Sequence, residues 1–218
     1  MAELHHTELL PDPLPREPLQ LAAVWLAQAC ERRAQPNPDA MVLASANAVG
    51  QPSARVVLCK GIVVTPGYVR FVSNYESRKG HELELNPRAA LVMHWDHAHR
   101  QVRIEGRVLR ASAADSDAYF AARGRGSQIG AWASAQSQPL NSREALQAAI
   151  DAQSKRFVDT SPIPRPPWWG MYHLWVEAVE LWSEGDARNH DRARWQRDLQ
   201  PDITQCSVGP WHAIRLQP

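Results

Sequence analysis

Between residues 19 and 33 the apolar positions Leu19, Ala22, Ala23, Leu26, Ala29 and Cys30 recur at the spacing of one helix face, and Gln35-Pro36-Asn37-Pro38 ends the run. The period then shortens. Residues 41–46, 54–60, 68–73, 89–95 and 101–109 are β-branched-rich runs of strand length, parted by Val49-Gly50, Pro66-Gly67 and a polar stretch at 96–100. Closely spaced strands joined by turns predict an antiparallel meander or barrel. A short helix is expected over 77–86, capped by Ser77 and stopped before Pro87. Further helices are expected over 113–122, 127–135 and 142–158. After Pro162, Pro164, Pro166 and Pro167, strand patterns return at 172–182, 192–197 and 211–216. The expectation is a mainly β fold with flanking helices. Residues 1–18, with Pro11, Pro13, Pro15 and Pro18, form an extended or disordered lead-in, and 19–218 form a single domain whose first and last strands close one barrel.

Composition removes some functions. With 24 Lys+Arg against 23 Asp+Glu in 218 residues, the chain has no basic excess for holding nucleic acid or a membrane by bulk charge. No apolar run approaches the roughly 18 residues that span a bilayer, and Met1–His6 resembles no secretory signal. Cys30, Cys59 and Cys206 are far apart with no C-x-x-C pair, which suits a reducing cytoplasm. The only lysines are Lys60, Lys79 and Lys155, a scarcity that reads as composition bias.

Several motifs could carry chemistry. Gly124-Arg-Gly126-Ser-Gln-Ile-Gly130 has the wrong spacing for a dinucleotide fingerprint and follows a helical rather than a strand pattern. His94, His97 and His99 read as strand-end and turn residues, and no second cluster completes a metal spacing, so no metal site is expected. Arg55-Val-Val-Leu-Cys-Lys60 is a strand with a cation at each end, Arg55, Val57 and Cys59 alternating with Val56, Leu58 and Lys60. Ser77-Arg78-Lys79-Gly80 is more pointed. A helix N-terminus ordinarily favours acidic residues, so two cations and a hydroxyl there suggest a bound phosphate. In Arg188-Asn-His-Asp-Arg192, alternation places Arg188, His190 and Arg192 together. This is either a solvated turn or a site for a polar or anionic ligand, near which a tryptophan from Trp168 to Trp211 could meet a planar ring.

Taken in order, Arg55-Val-Val-Leu-Cys-Lys60, Asn74 with Ser77-Arg78-Lys79, Asn86-Pro87-Arg88, Gln101-Val-Arg-Ile-Glu-Gly106, Ser127-Gln-Ile-Gly-Ala-Trp132, Ser134-x-Gln136-Ser137 and Arg188-x-His190-Asp191-Arg192 resemble the pyridoxine/pyridoxamine 5′-phosphate oxidase family over nearly the whole chain. The resemblance implies an FMN-binding split β-barrel acting as a homodimer, with each flavin at the subunit interface. It implies oxidation of phosphorylated B6 vitamers by O2 to pyridoxal 5′-phosphate and hydrogen peroxide. By resemblance, Arg55, Ser73, Arg78 and Lys79 would meet the flavin phosphate, with Val72 beside them. The backbone from Val56 through Val57, Leu58 and Cys59 to Lys60 would line the cofactor, and Gln101 would approach the flavin edge. Gln136, Ser137, Trp182 and Arg192 would come from the other subunit. Lys60, Tyr119, Arg123 and Ser127 would hold the substrate phosphate, with Arg188 and His190 over its ring as the catalytic pair.

The chain departs from the family pattern at Val72-Ser73, where Tyr-Thr is usual, at Gly124, where proline is usual, and at Asn189, where an apolar residue is usual. The basic, tyrosine-containing N-terminal segment of family members is not recognisable in residues 1–18. These departures leave two alternatives: an oxidase of the same fold acting on another reduced heterocycle of the phenazine type, or a non-catalytic flavin-binding protein.

Overall fold

The computed structural model describes residues 8–159, 161–202 and 205–218. Alternation along the strands dictates the architecture, because successive side chains point to opposite sheet faces. Met41 and Leu43 on β1 (Ala40–Ala46), Leu91 and Met93 on β5 (Arg88–Trp95), and Val102 and Ile104 on β6 (Arg100–Arg110) are at most 1% exposed. Val179 and Leu181 on β7 (Trp169–Ser183) and Trp195 on β8 (Asp191–Gln196) join them in one core. Burying each such side chain contributes about 1.5–3 kcal/mol.

The strands form an antiparallel sheet in the order β11-β8-β7-β6-β5-β1-β2, with β2 at Pro52–Leu58 and β11 at His212–Leu216. The long β7 divides its outer edge. Trp169–Trp175 pairs with β4 (Tyr68–Asn74), whereas Ala178–Ser183 pairs with β8, and β6 runs along the other side. The turn between these halves coincides with a bulge at Glu105/Gly106. Gly106 is required there, since a Cβ would lie 1.9 Å from the Trp175 carbonyl oxygen. Strands β2 and β4 approach each other, but among the described residues no ladder joins them, so the barrel is open along that seam.

Helix α1 (Pro18–Arg32) lays Leu19, Ala22, Trp25 and Ala29 on the barrel. Helix α2 (Arg78–Leu85) follows β4, and α3 (Ala113–Ala121), α4 (Arg125–Ala133) and α5 (Arg143–Arg156) follow β6. Phe120, Ile129, Phe157, Ile163 and Trp169 make a second, smaller core among them. Three short strands escape the sequence pattern because two or three residues display no period: β3 (Ile62–Val63), β9 (Leu199–Pro201) and β10 (Cys206–Val208). Strand β7 also begins three residues before the expected 172, directly after the proline cluster.

Of the expected lead-in, residues 1–7 lie outside the described residues. Residues 8–17 contain no helix or strand, yet they are held against the barrel: Leu10 is 4% exposed, its N–H donates to Asp191, and the Trp195 indole donates to the Pro15 carbonyl at 2.8 Å. Among the described residues no helix is long and apolar enough to cross a membrane.

Candidate active site

The open seam is a cleft of about 690 Å³. One wall is residues 53–58 of β2, an edge strand that among the described residues pairs with β1 alone, so its outward N–H and C=O groups are available to a flat polar ring. The opposite wall carries Val72, Ser73 and Asn74 from the end of β4, where β3 no longer pairs.

The floor at one end is the start of α2. Ser77 caps it, its hydroxyl accepting from the Gly80 N–H at 3.3 Å and donating to the Asn74 carbonyl at 2.7 Å. A Cβ on residue 80 would sit 1.9 Å from the Tyr75 carbonyl oxygen, so glycine lets the first turn fold tightly under β4. Lys79 is 8% exposed, and its ammonium donates to Ser77 Oγ at 3.1 Å and Gln136 Oε1 at 2.7 Å. Burial and the nearby Arg55 charge, opposed by Glu82, push the Lys79 ammonium down to about 8. Arg55, Ser73, Arg78 and Lys79 thus line the same cleft.

Behind this corner lies Glu82, which the sequence reading did not single out. Its carboxylate is 4% exposed and accepts from Ser45, Ser53, Arg55 and Arg78. Burial alone would raise its pKa, but hydrogen bonds from Ser45, Ser53, Arg78 and Arg55 outweigh it and hold the group at about 2. The available signal was the four-residue spacing of Arg78 and Glu82 on one helix.

Lys60, Tyr119 and Arg123 face the same cleft with Trp169. Lys60 shares the cleft with Arg55, although strict alternation would place them on opposite faces, because β2 ends at Leu58 and the backbone turns to bond Asp39 and Arg70. Arg123 lies 4.5 Å over the Trp169 ring, and its Nη1 is buried without a hydrogen-bond partner. A buried cationic donor left unpaired is costly unless an anion meets it. Burial, opposed by Tyr119, lowers the Arg123 pKa. Ser127 lies in α4, exposed and off the cleft lining; Cys59 is buried and also off it.

Gln136 and Ser137 line the cleft of their own chain, so the expectation that they come from the other subunit is corrected: the loop after α4 folds back to Lys79. By contrast, Gln101, Trp182, Arg188, His190 and Arg192 are absent from the cleft lining. Gln101, Trp182 and Arg192 sit side by side across β6, β7 and β8 on the outer sheet face. The His190 ring lies 4.7 Å from that of Trp182. The Gly185 N–H reaches His190 Nδ1 at 3.3 Å, which assigns the neutral-ring proton to Nε2. Arg192 donates to Glu180 at 2.8 and 3.1 Å. Ala187 and Arg188 hold left-handed φ values of 52° and 67°, strain of the kind concentrated at functional turns. Among the described residues no group of three or more His, Cys, Asp or Glu side chains is gathered for a metal.

Comparison with known proteins matches residues 29–155 to the pyridoxamine 5′-phosphate oxidase family model and 169–218 to the pyridoxine 5′-phosphate oxidase C-terminal dimerisation region. A Rubrobacter xylanophilus protein named pyridoxine/pyridoxamine 5′-phosphate oxidase is 45% identical over 93% of this chain and 87% of its own. A Cupriavidus necator protein of the same name is 44% identical over 100% and 94%. Among solved structures, PhzG from Burkholderia lata 383, in complex with tetrahydrophenazine-1-carboxylic acid, has a TM-score of 0.85 at 30% identity, covering 97% of this chain and 98% of that one.

Proposed function

The chain belongs to the pyridoxamine 5′-phosphate oxidase family, and on that premise we propose that it uses FMN and O2 to oxidise phosphorylated B6 vitamers. Pyridoxine 5′-phosphate and O2 give pyridoxal 5′-phosphate and H2O2; pyridoxamine 5′-phosphate also consumes water and releases ammonia. The observation that carries this reading is one cleft lined by five cations, Arg55, Lys60, Arg78, Lys79 and Arg123, along the free edge of β2. That arrangement suits two phosphate esters with flat rings between them.

The residues fit FMN. Lys79, Arg78 and Ser73 offer donors for its phosphate, and the free edge of β2 offers backbone groups for its ring. When bound, FMN supplies the two-electron chemistry that no side chain provides. The protein supplies placement. Arg123, with its unpaired Nη1 and its guanidinium over the Trp169 face, holds the substrate phosphate together with Lys60, whose ammonium is also paired with Asp39 at 3.2 Å.

Gln101, Trp182, Arg188, His190 and Arg192 complete this site from a second copy of the chain. The C-terminal dimerisation region, 169–218, contains four of these five. The outer face that carries them continues onto the cross-strand valines Val42 and Val56, exposed by 44% and 65%, an apolar patch that a partner would cover. Arg188 and His190 then orient the substrate ring over the flavin.

The likeness to PhzG supports a second reading, oxidation of a reduced heterocycle. A tetrahydrophenazine carboxylate carries no phosphate and has no use for Lys60, Tyr119 and Arg123 together, which favours the first. Oxygen uptake by protein checked for bound flavin separates them. Both B6 phosphates are expected to drive uptake with peroxide release, whereas a flavin-loaded protein inert to both and active on a tetrahydrophenazine carboxylate overturns the proposal.

A further inference from the structure

We propose that Glu82 is a positioning residue for the flavin phosphate: its buried carboxylate fixes Arg55 and Arg78 so that the remaining donors of the corner converge on the phosphate. The inference rests on the reading of this corner as an FMN site. Four side chains from three elements meet on Glu82. Ser45 of β1 donates at 2.6 Å, Ser53 of β2 at 2.6 and 2.8 Å, Arg55 of β2 at 3.1 Å, and Arg78 of α2 itself at 2.9 Å. The two serines also bind Arg55, Ser45 accepting from its Nη1 at 2.5 Å and Ser53 from its Nη2.

Both guanidiniums are therefore held from behind, and in different ways. Arg55 spends its terminal nitrogens on Ser45, Ser53, Glu82 and the Leu43 carbonyl. Arg78 lines the cleft and engages Glu82 through Nε, so its two terminal nitrogens are not spent on that carboxylate. This divides the work: Arg55 is a buttress that brings positive charge to the cleft wall, and Arg78 and Lys79 are the direct phosphate donors. The carboxylate also tethers α2 to β1 and β2, so the N-terminus of α2 and the β2 edge keep a fixed spacing while a ligand bridges them.

A carboxylate near a phosphate also repels it, so charge and geometry must be tested apart. Glu82→Asp keeps the charge but shortens the arm, so one carboxylate can no longer reach both serines and Arg78. Glu82→Gln keeps the length and removes the charge. Dissociation constants for FMN and for riboflavin, which has the ring without the phosphate, are read by flavin fluorescence on the full-length apoprotein.

Positioning predicts that Glu82→Asp and Glu82→Gln each weaken FMN about tenfold or more, the scale of one charged hydrogen bond, with riboflavin affinity unchanged. Equal weakening of both ligands makes Glu82 merely structural and overturns the proposal. So does unchanged FMN affinity, or tighter FMN binding by Glu82→Gln, which makes the carboxylate a charge brake. If neither Glu82 variant folds, Ser53→Ala on the cleft wall takes their place, with the same selective loss expected in smaller measure and equal or absent loss again counting against the proposal. Wild-type protein that binds neither FMN nor riboflavin refutes the flavin reading itself, whereas wild-type binding without the selective loss refutes only the role of Glu82.

Discussion

Replacing Lys79 by methionine is expected to raise the FMN dissociation constant roughly ten- to hundredfold, the 1.5–3 kcal/mol associated with a hydrogen bond to a charged group. The ammonium is buried at the capped start of α2, beside Ser77 and Gln136. Its pH signature is distinctive. Burial and Arg55 hold Lys79 at about 8 in the free protein. A bound phosphate favours the ammonium and raises that value, so affinity is full below about 8 and declines as pH rises through and above it. Fluorescence titrations from pH 7 to 9.5 are expected to show this decline for wild-type protein with FMN, and none for Lys79→Met. An equal slope in both would remove Lys79 from the phosphate site.

Arg188→Ala is expected to lower turnover about a hundredfold while leaving flavin retention near normal. A loss of that size follows from misplacing a bound reactant by an ångström. Arg188 is exposed, outside both cores and outside the cleft of its own chain, so its removal has little reach into stability. Its turn holds Arg188 and the preceding Ala187 in the left-handed region, strain of the kind found at functional sites. Steady-state kinetics with unchanged flavin content and near-normal kcat would exclude the orienting role.

The barrel was legible because period-two alternation in residues such as Met41, Leu43, Leu91 and Met93 reports burial directly. The cationic corner was legible for a different reason: Arg78 and Lys79 at a helix start contradict the helix dipole, which singled them out, and the structure brings both to the cleft. Glu82 was not legible in that way. A glutamate within a short helix is ordinary, and only the tertiary approach of β1 and β2 brings Ser45 and Ser53 to it. The side of the site on which Gln136 falls was likewise hidden, since the return of the loop after α4 to Lys79 leaves no periodic trace. Within one chain Lys79 lines the cleft and Arg188 does not, and the proposed function therefore divides the site between two copies.

That division is the central claim, and a mixed dimer tests it most directly. Chains carrying Lys79→Met and chains carrying Arg188→Ala, differently tagged, are co-expressed and the heterodimer is purified through both tags. If the cleft of each chain is completed by its partner, one site of the heterodimer carries both lesions and the other carries neither. In an assay at an FMN concentration that fills wild-type sites but leaves the Lys79→Met homodimer largely empty, the expected result is about half the wild-type turnover per dimer from two individually impaired chains. Turnover no higher than the mean of the two homodimers would contradict the account.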